Sequence, residues 1–273
     1  MALVLTQQVE TKIPIEVSGV TPDQLVGRSL QEIERLPVWH GNQSLPLAEL
    51  FHVAGNLADD QVLVWDGELT SVHGIGTQMR AGKIEIKANA GRRVGSQMAG
   101  GELCAEGNVS DFAGCEMTGG TLRILGDAGD LVGGHLPGSK LGMNRGEIFV
   151  AGDVGKACGK KMRRGTIVIG GDAGSLVGWN MLAGTILVFG NAGPQVGVEM
   201  KRGTIVLSQL NYTGFLPTFK PGLVQPVPML AMLANWIRSK PFSCQAERLT
   251  EPHQMFHGDM LYGGRGEIFV RSE

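Results

Sequence analysis

The sequence predicts a mainly β protein, a right-handed parallel β-helix wound as a solenoid of ~19-residue glycine-rich coils, with an N-terminal α+β cap and a C-terminal extension. Three observations predict it. First, Met79, Met98, Met117, Met143, Met162, Met181 and Met200 follow one another at steps of 19, 19, 26, 19, 19 and 19 residues, so that one copy carries an insertion of seven. Second, glycine stands three residues after each of these methionines (Gly82, Gly101, Gly120, Gly146, Gly165, Gly184, Gly203), and Ile or Leu five after (Ile84 through Ile205). Third, Asn or Asp stands ten after in every complete copy: Asn89, Asn108, Asp127, Asp153, Asp172 and Asn191. A unit this short cannot bury its apolar side alone, so successive units must stack.

Within a unit, pairs such as Ile84/Ile86 or Ile167/Ile169 alternate with outward residues at period two, the pattern of a short strand with one face inward. The following Gly-Asn/Asp pair predicts a corner in the left-handed region, and a second glycine group, Gly174 and Gly178 for example, predicts another. Stacking would then line up ladders of Met, of Ile/Leu/Val, and of the small residues Ala90, Val109, Ala128, Val154, Ala173 and Ala192. Parallel crossovers favour right-handed winding. Residues 1–59 lack the repeat, with β-like Ile13 to Val17 and a short helix around Ser29 to Leu36, and are expected to form a cap; 60–208 form the coils, beginning with a degenerate one at 60–78. Residues 209–273 form the extension, with clustered prolines, an apolar helix at Met229 to Ser239, and Gly266-Glu-Ile-Phe-Val270, which repeats Gly146-Glu-Ile-Phe-Val150 and should return as a last strand.

Composition narrows the function classes. The 42 glycines are roughly double the usual share, yet 42% of residues are hydrophobic and 18% charged, which excludes a disordered glycine-rich polymer. A net charge of −2 gives no global attraction to nucleic acid or an anionic membrane. The first ten residues have neither a basic stretch nor an apolar core of signal-peptide type, so a soluble, cytoplasmic protein is expected. Cys104, Cys115, Cys158 and Cys244 show no CxxC spacing and are expected as reduced, mostly buried thiols.

Catalytic motifs are missing from the chain: no GxSxG elbow, HExxH helix, P-loop, EF-hand or Rossmann glycine pattern occurs. His253 and His257 have a spacing that suits a shared metal on a helix, but Pro252 and Gly258 flank them and point to surface or packing histidines. Cys158 holds a ladder position that Val177 and Val196 hold in later copies, and reads as core. No catalytic, metal or cofactor residue is therefore assigned. Two surface features remain. Arg145, Lys160, Lys161, Arg163, Arg164, Lys201 and Arg202 fall near one corner of the coil, either as a solvated edge or as a track for an anionic partner surface or polyanionic cofactor tail. The outward positions Phe149, Val168, Leu187 and Val206 form an apolar stripe that either the extension or a partner chain must cover.

The glycine repeat resembles the GxxGxxxG β-helix of the glutamate synthase large subunit, a structural domain there. Ile13-Pro-Ile-Glu16, Val38-Trp-His-Gly-Asn42 and Met162-Arg-Arg-Gly-Thr-Ile-Val-Ile-Gly-Gly-Asp-Ala-Gly174 further resemble the C (gamma) component of formylmethanofuran dehydrogenases and of the formyltransferase/hydrolase complexes of methylotrophic bacteria. That resemblance implies a scaffold role in one-carbon metabolism. Its implied partners are the A, B and D components of the same complex, of which A is amidohydrolase-like and D is a formyltransferase. Together they pass a formyl group from formyl-tetrahydromethanopterin through a methanofuran-type carrier to formate. The resemblance also implies that carrier and metal ions sit in the partner chains, and that acidic glutamyl carrier tails are a possible contact for the basic corner. Self-contained β-helix enzymes such as polysaccharide lyases, or hexapeptide-repeat acyltransferases, fit less well, because the period is 19 and no acid–base cluster is evident.

Overall fold

A computed structural model describes residues 2–57, 61–210, 214–240 and 243–272; Asp60, the first residue of the expected degenerate coil, and the side chain of Cys244 lie outside them. The N-terminal part comprises β1 (Leu3–Gln7), β2 (Ile15–Glu16), α1 (Pro22–Leu25), α2 (Leu30–Glu34), β3 (Pro37–His40), β4 (Gln43–Pro46) and β5 (Phe51–Ala54). The expected helix is α2, started by a capping box in which Ser29 and Glu32 satisfy each other's backbone N–H. The coils carry β6 (Val62–Asp66), β7 (Val72–His73), β8 (Lys83–Ile86), β9 (Glu102–Ala105), β10 (Thr118–Ile124), β11 (Arg145–Val150), β12 (Thr166–Ile169), β13 (Thr185–Ala192) and β14 (Arg202–Leu210). The extension adds β15 (Lys220–Gln225), α3 (Pro228–Arg238), β16 (His253–Gly258) and β17 (Arg265–Arg271).

One 13-stranded sheet runs the length of the molecule in the order β15-β16-β17-β14-β13-β12-β11-β10-β9-β8-β6-β1-β5. From β6 to β14 every pair is parallel and holds equivalent repeat positions opposite each other, as in Ile148↔Ile167 and Ile167↔Ile186. A second ladder of single bridges joins Ala90, Val109, Ala128, Val154, Ala173 and Ala192, the small-residue stack expected from the sequence, and extends it to Leu69. This is a parallel β-helix. The seven methionines are fully buried, and the Ile/Leu/Val ladders pack around them in a core continuous with that of the N-terminal part.

The corners differ from expectation in part. The Asn and Asp residues of the ladder do not adopt left-handed backbone; of the second glycine group Gly178 does and Gly174 does not, and two non-glycine residues beside it share that conformation, Phe112 and Glu116 in one coil and Leu176 and Asn180 in another. A non-glycine residue there costs about 1–2 kcal/mol in backbone sterics. The neighbouring coil offsets it, because these residues donate their N–H groups across the stack: Phe112 to the Asp130 carbonyl at 2.8 Å, and Glu116 to the Gly134 carbonyl at 3.0 Å. The Asn/Asp side chains instead form a ladder of caps. The Oδ1 of Asn89, Asn108, Asp127, Asp153 and Asp172 each accepts the N–H of the equivalent residue in the next coil, at 2.6–2.8 Å. The glycine before each Asn/Asp from Asn108 onward is needed for room, since a Cβ on Gly107 would lie 2.6 Å from the Asn89 Oδ1.

Both ends of the stack are closed with non-repeat strands. At the start, β1 enters the main sheet between β6 and β5, so the N-terminal segment joins the solenoid sheet itself, and Phe51 packs edge-on against buried Trp65 at 5.2 Å. At the other end β17 pairs in parallel register with β14, as the repeated Gly-Glu-Ile-Phe-Val predicts, and two antiparallel strands, β16 and β15, continue beyond it.

Truncating the core should cost more than removing one cap. Met162→Ala is expected to lose about 2–5 kcal/mol of stability through its cavity, and Asp153→Ala about 1 kcal/mol through the lost bond from the Asp172 N–H, measured by urea denaturation. Equal losses would contradict the ranking of core packing above a single side-chain cap.

Candidate interaction surfaces

From Met98 onward, the residue that follows a core methionine donates its N–H to the methionine carbonyl one coil back: Arg163 to Met143, Leu182 to Met162 and Lys201 to Met181, all at 2.8 Å. This bond fixes the register of the basic corner. It places Arg145, Arg164, Ala183 and Arg202 in one row, two residues after their methionines, and Arg163 and Lys201 in the adjacent row. Arg202 lies directly opposite Arg265 of β17, so a fourth arginine extends the first row. The sequence reading missed Arg265, although Arg145-Gly-Glu-Ile-Phe-Val150 and Arg265-Gly-Glu-Ile-Phe-Val270 are identical over six residues. All of these arginines and Lys201 are exposed.

Lys160 and Lys161 are placed differently. Lys160 is half-buried, with its ammonium 3.6 Å from the ring centroid of Trp179, and burial and then Lys161 lower its pKa. Trp179 in turn donates its indole N–H to Glu199 at 3.2 Å, and Asn180 donates to the same oxygen at 2.9 Å. The hydrogen bond from Asn180 holds the Glu199 carboxyl below its ordinary value, with support from Trp179 and Tyr262. Asp259, buried, accepts the Glu199 N–H at 3.2 Å. This group ties the 259–262 turn to the coils.

The stripe is internal to the chain. Phe149, Val168, Leu187 and Val206 are at most 2% exposed, and so is Phe269 of β17. Leu230, Ala234 and Ile237 of α3, with Ala246 and Leu249, lie over them, and Trp236 stacks on Phe149 at 5.9 Å. Lys240 closes the end of this cover with an ion pair to Glu147 at 2.8 Å, and Arg248 donates to the Phe189 carbonyl at 2.8 Å. The alternative of an interface stripe is thereby corrected: the helix supplies the apolar face the stripe needs, and these four side chains leave no area for a second chain.

The seven-residue insertion folds over the same edge as the basic corner, upstream of it. Gln78 donates to Gln97 at 2.9 Å and Gln97 to Glu116 at 3.0 Å, while Glu116 also accepts the Leu136 N–H at 2.9 Å. Burial alone would raise the Glu116 carboxyl, but the bonds from Gln97, Leu136 and Ser139 outweigh it and hold the group low. An open cleft of about 510 Å³ lies here, lined by Gln78, Gln97, Glu116 and Asn144 among others.

Cys115 and Cys158 are fully buried, and burial pushes both thiols up, Cys158 to about 12; half-buried Cys104 is raised for the same reason. A nucleophilic thiol needs the opposite shift. His253 and His257 sit on strand β16, not on a helix, so four residues separate them by roughly 13 Å and they do not share an ion. Among the described residues no three His, Cys, Asp or Glu side chains gather in a metal-binding arrangement, and no helix is long and apolar enough to cross a membrane.

No family model matches the chain. Curated relatives include the C subunit of the tungsten-containing formylmethanofuran dehydrogenase 2 of Methanothermobacter thermautotrophicus, 39% identical over 90 residues, which are 32% of this chain and 33% of that protein. The C subunit of the molybdenum-containing formylmethanofuran dehydrogenase 1 of Methanosarcina barkeri is 40% identical over 85 residues, 30% of this chain and 28% of the relative. The matched segments thus span about a third of the curated relatives' length. Among solved structures, one chain of the formyltransferase/hydrolase complex FhcABCD of Methylorubrum extorquens, solved with methylofuran, superposes with a TM-score of 0.91 and 30% identity, covering 99% of this chain and 100% of that one. The chain belongs to the C-subunit family of these complexes. In this C-type subunit the features brought together by folding are rows of like side chains and a self-covered apolar face.

Two histidines, His73 half-buried and His253 buried, give a pH signature. Desolvation lowers the pKa of His73, whose Nδ1 accepts the Arg92 N–H at 3.0 Å, and of His253, which is 2% exposed. A depressed histidine favours the neutral folded state, so its contribution is complete above the unfolded pKa near 6.5 and is lost as pH falls toward the lower folded value. The urea midpoint should therefore drop as pH falls below about 6.5, and His73→Asn, which keeps an acceptor, should flatten that drop. An unchanged slope in the variant would contradict the assignment.

Proposed function

We propose that this chain is the structural, non-catalytic C component of a cytoplasmic formyltransferase/hydrolase complex of one-carbon metabolism. In that complex the formyltransferase component, D, passes a formyl group from formyl-tetrahydromethanopterin to a methanofuran-type carrier. The amidohydrolase-like component, A, together with B, releases it as formate. The observation that carries this reading is the end-to-end superposition on a chain of FhcABCD, with 30% identity over 99% of the chain. The carrier and the metal ions belong in the partner chains. This chain offers them buried thiols of raised pKa and like residues in rows in place of a converging acid–base set.

The dehydrogenase relatives favour a second reading, because their local identity of 37–41% exceeds that of the FhcABCD chain over about a third of the length. Native mass spectrometry of the protein purified gently from its own cells separates the two. Co-purification with amidohydrolase-like and formyltransferase chains is the expected result. Partners carrying a molybdenum or tungsten pterin would support the dehydrogenase, and a lone protein with formyl-transfer activity would overturn both.

A further inference from the structure

We propose that the row Arg145–Arg164–Arg202–Arg265 is the surface by which this chain docks onto a carboxylate-bearing face of a partner protein in its complex. The proposal rests on the scaffold reading above and locates the contact on the chain. The four arginines occupy equivalent positions of successive coils, interrupted at Ala183, along roughly 19 Å of the stack. Like charges on neighbouring strands repel, so the row costs folding stability unless something neutralises it. Among the described residues no carboxylate lies within 4.0 Å of any of the four, and Glu147, two residues from Arg145, is taken by Lys240 at 2.8 Å.

Elsewhere the same fold pairs its cations across coils. Lys87 bridges Glu85 at 2.9 Å and Glu106 at 2.6 Å, Arg92 meets Asp111 at 3.5 Å, and Arg93 pairs with Glu16 of the N-terminal segment. The repeat itself does not require arginine at the row, since the equivalent residues of earlier coils are Ala81, Gly100 and Gly119. The row therefore belongs to this half of the molecule and to a need outside the coil. Guanidinium groups in fixed array bind carboxylates in bidentate pairs, and a net charge of −2 suits a local protein contact better than a long polyanion. A front of this length is about the width of one partner's share of a standard interface, roughly 800 Å².

The test compares wild type with the Arg145→Glu/Arg164→Glu/Arg202→Glu/Arg265→Glu variant, each tagged and purified as the native complex, with a melting curve to establish that the variant folds. The same four positions changed to Ala separate loss of attraction from repulsion, and Arg28→Glu/Arg35→Glu serves as a control on the opposite part of the chain. Expected results are a wild-type association weakened about tenfold when ionic strength rises from about 0.1 M to about 0.5 M, a shallower salt dependence for the Ala variant, and loss of partners in the Glu variant only. A wild-type chain that purifies alone removes the scaffold reading and the proposal with it. A wild-type complex with a Glu variant that assembles equally well, at the same salt dependence, overturns the proposal alone.

Discussion

Everything in this molecule depends on the hydrogen-bonded register between one coil and the next. A single 19-residue turn of chain leaves its strand edges, its left-handed corners and the carbonyls of its core methionines without partners; the neighbouring coil supplies all of them at once. Because that supply works only when equivalent atoms face each other, each repeat position becomes a row. Met stacks on Met inside, Asp on Asp at one corner, and Gln78, Gln97 and Glu116 hydrogen-bond in sequence at another. The ends are where the rule fails. There the chain changes topology, with β1 and β5 at one end and β17, β16 and β15 at the other.

A surface made of rows favours some functions over others. General acid–base or nucleophilic chemistry requires different groups to converge within hydrogen-bond reach of one point. Register-locked coils do the opposite: they extend one kind of group along a line. The arginine row and the Gln/Glu row are extended features of this type, suited to contact with another long surface. The outward apolar row of Phe149, Val168, Leu187 and Val206 is used internally, where it seats α3, so the extension is a part of the solenoid wall.

Much of this was legible in the sequence. The methionine period located the coils, and the Gly-Glu-Ile-Phe-Val repeat located the strand that returns after a break of some sixty residues, because both depend on periodic local constraints that every coil repeats. The corners were not legible in detail. Asn and Asp commonly adopt left-handed backbone, so propensity pointed to them; the stacked N–H donors made side-chain capping the better use, and left the strained non-glycine backbone to Phe112, Glu116, Leu176 and their equivalents, which, Asn180 apart, are types that carry no such signal. Arg265 was missed because its partner in space, Arg202, is distant in sequence. Lys160 looked like another surface cation, and only the packed Trp179 ring shows otherwise.

The central claim is that this protein supplies structure and no chemistry to its complex. It is tested most directly by depleting the complex of this chain and adding back a version with Cys104→Ser, Cys115→Ala, Cys158→Ala and His135→Gln. These changes strip its thiols, Cys244 apart, and the histidine whose charge acts on Glu116, and the readout is coupled formyl transfer and formate release. The account predicts that coupling is lost on depletion and returns in full with the stripped chain, provided it folds by circular dichroism. A folded stripped chain that restores assembly but leaves turnover more than about tenfold down, a loss of roughly 1.4 kcal/mol in transition-state stabilisation, would contradict it.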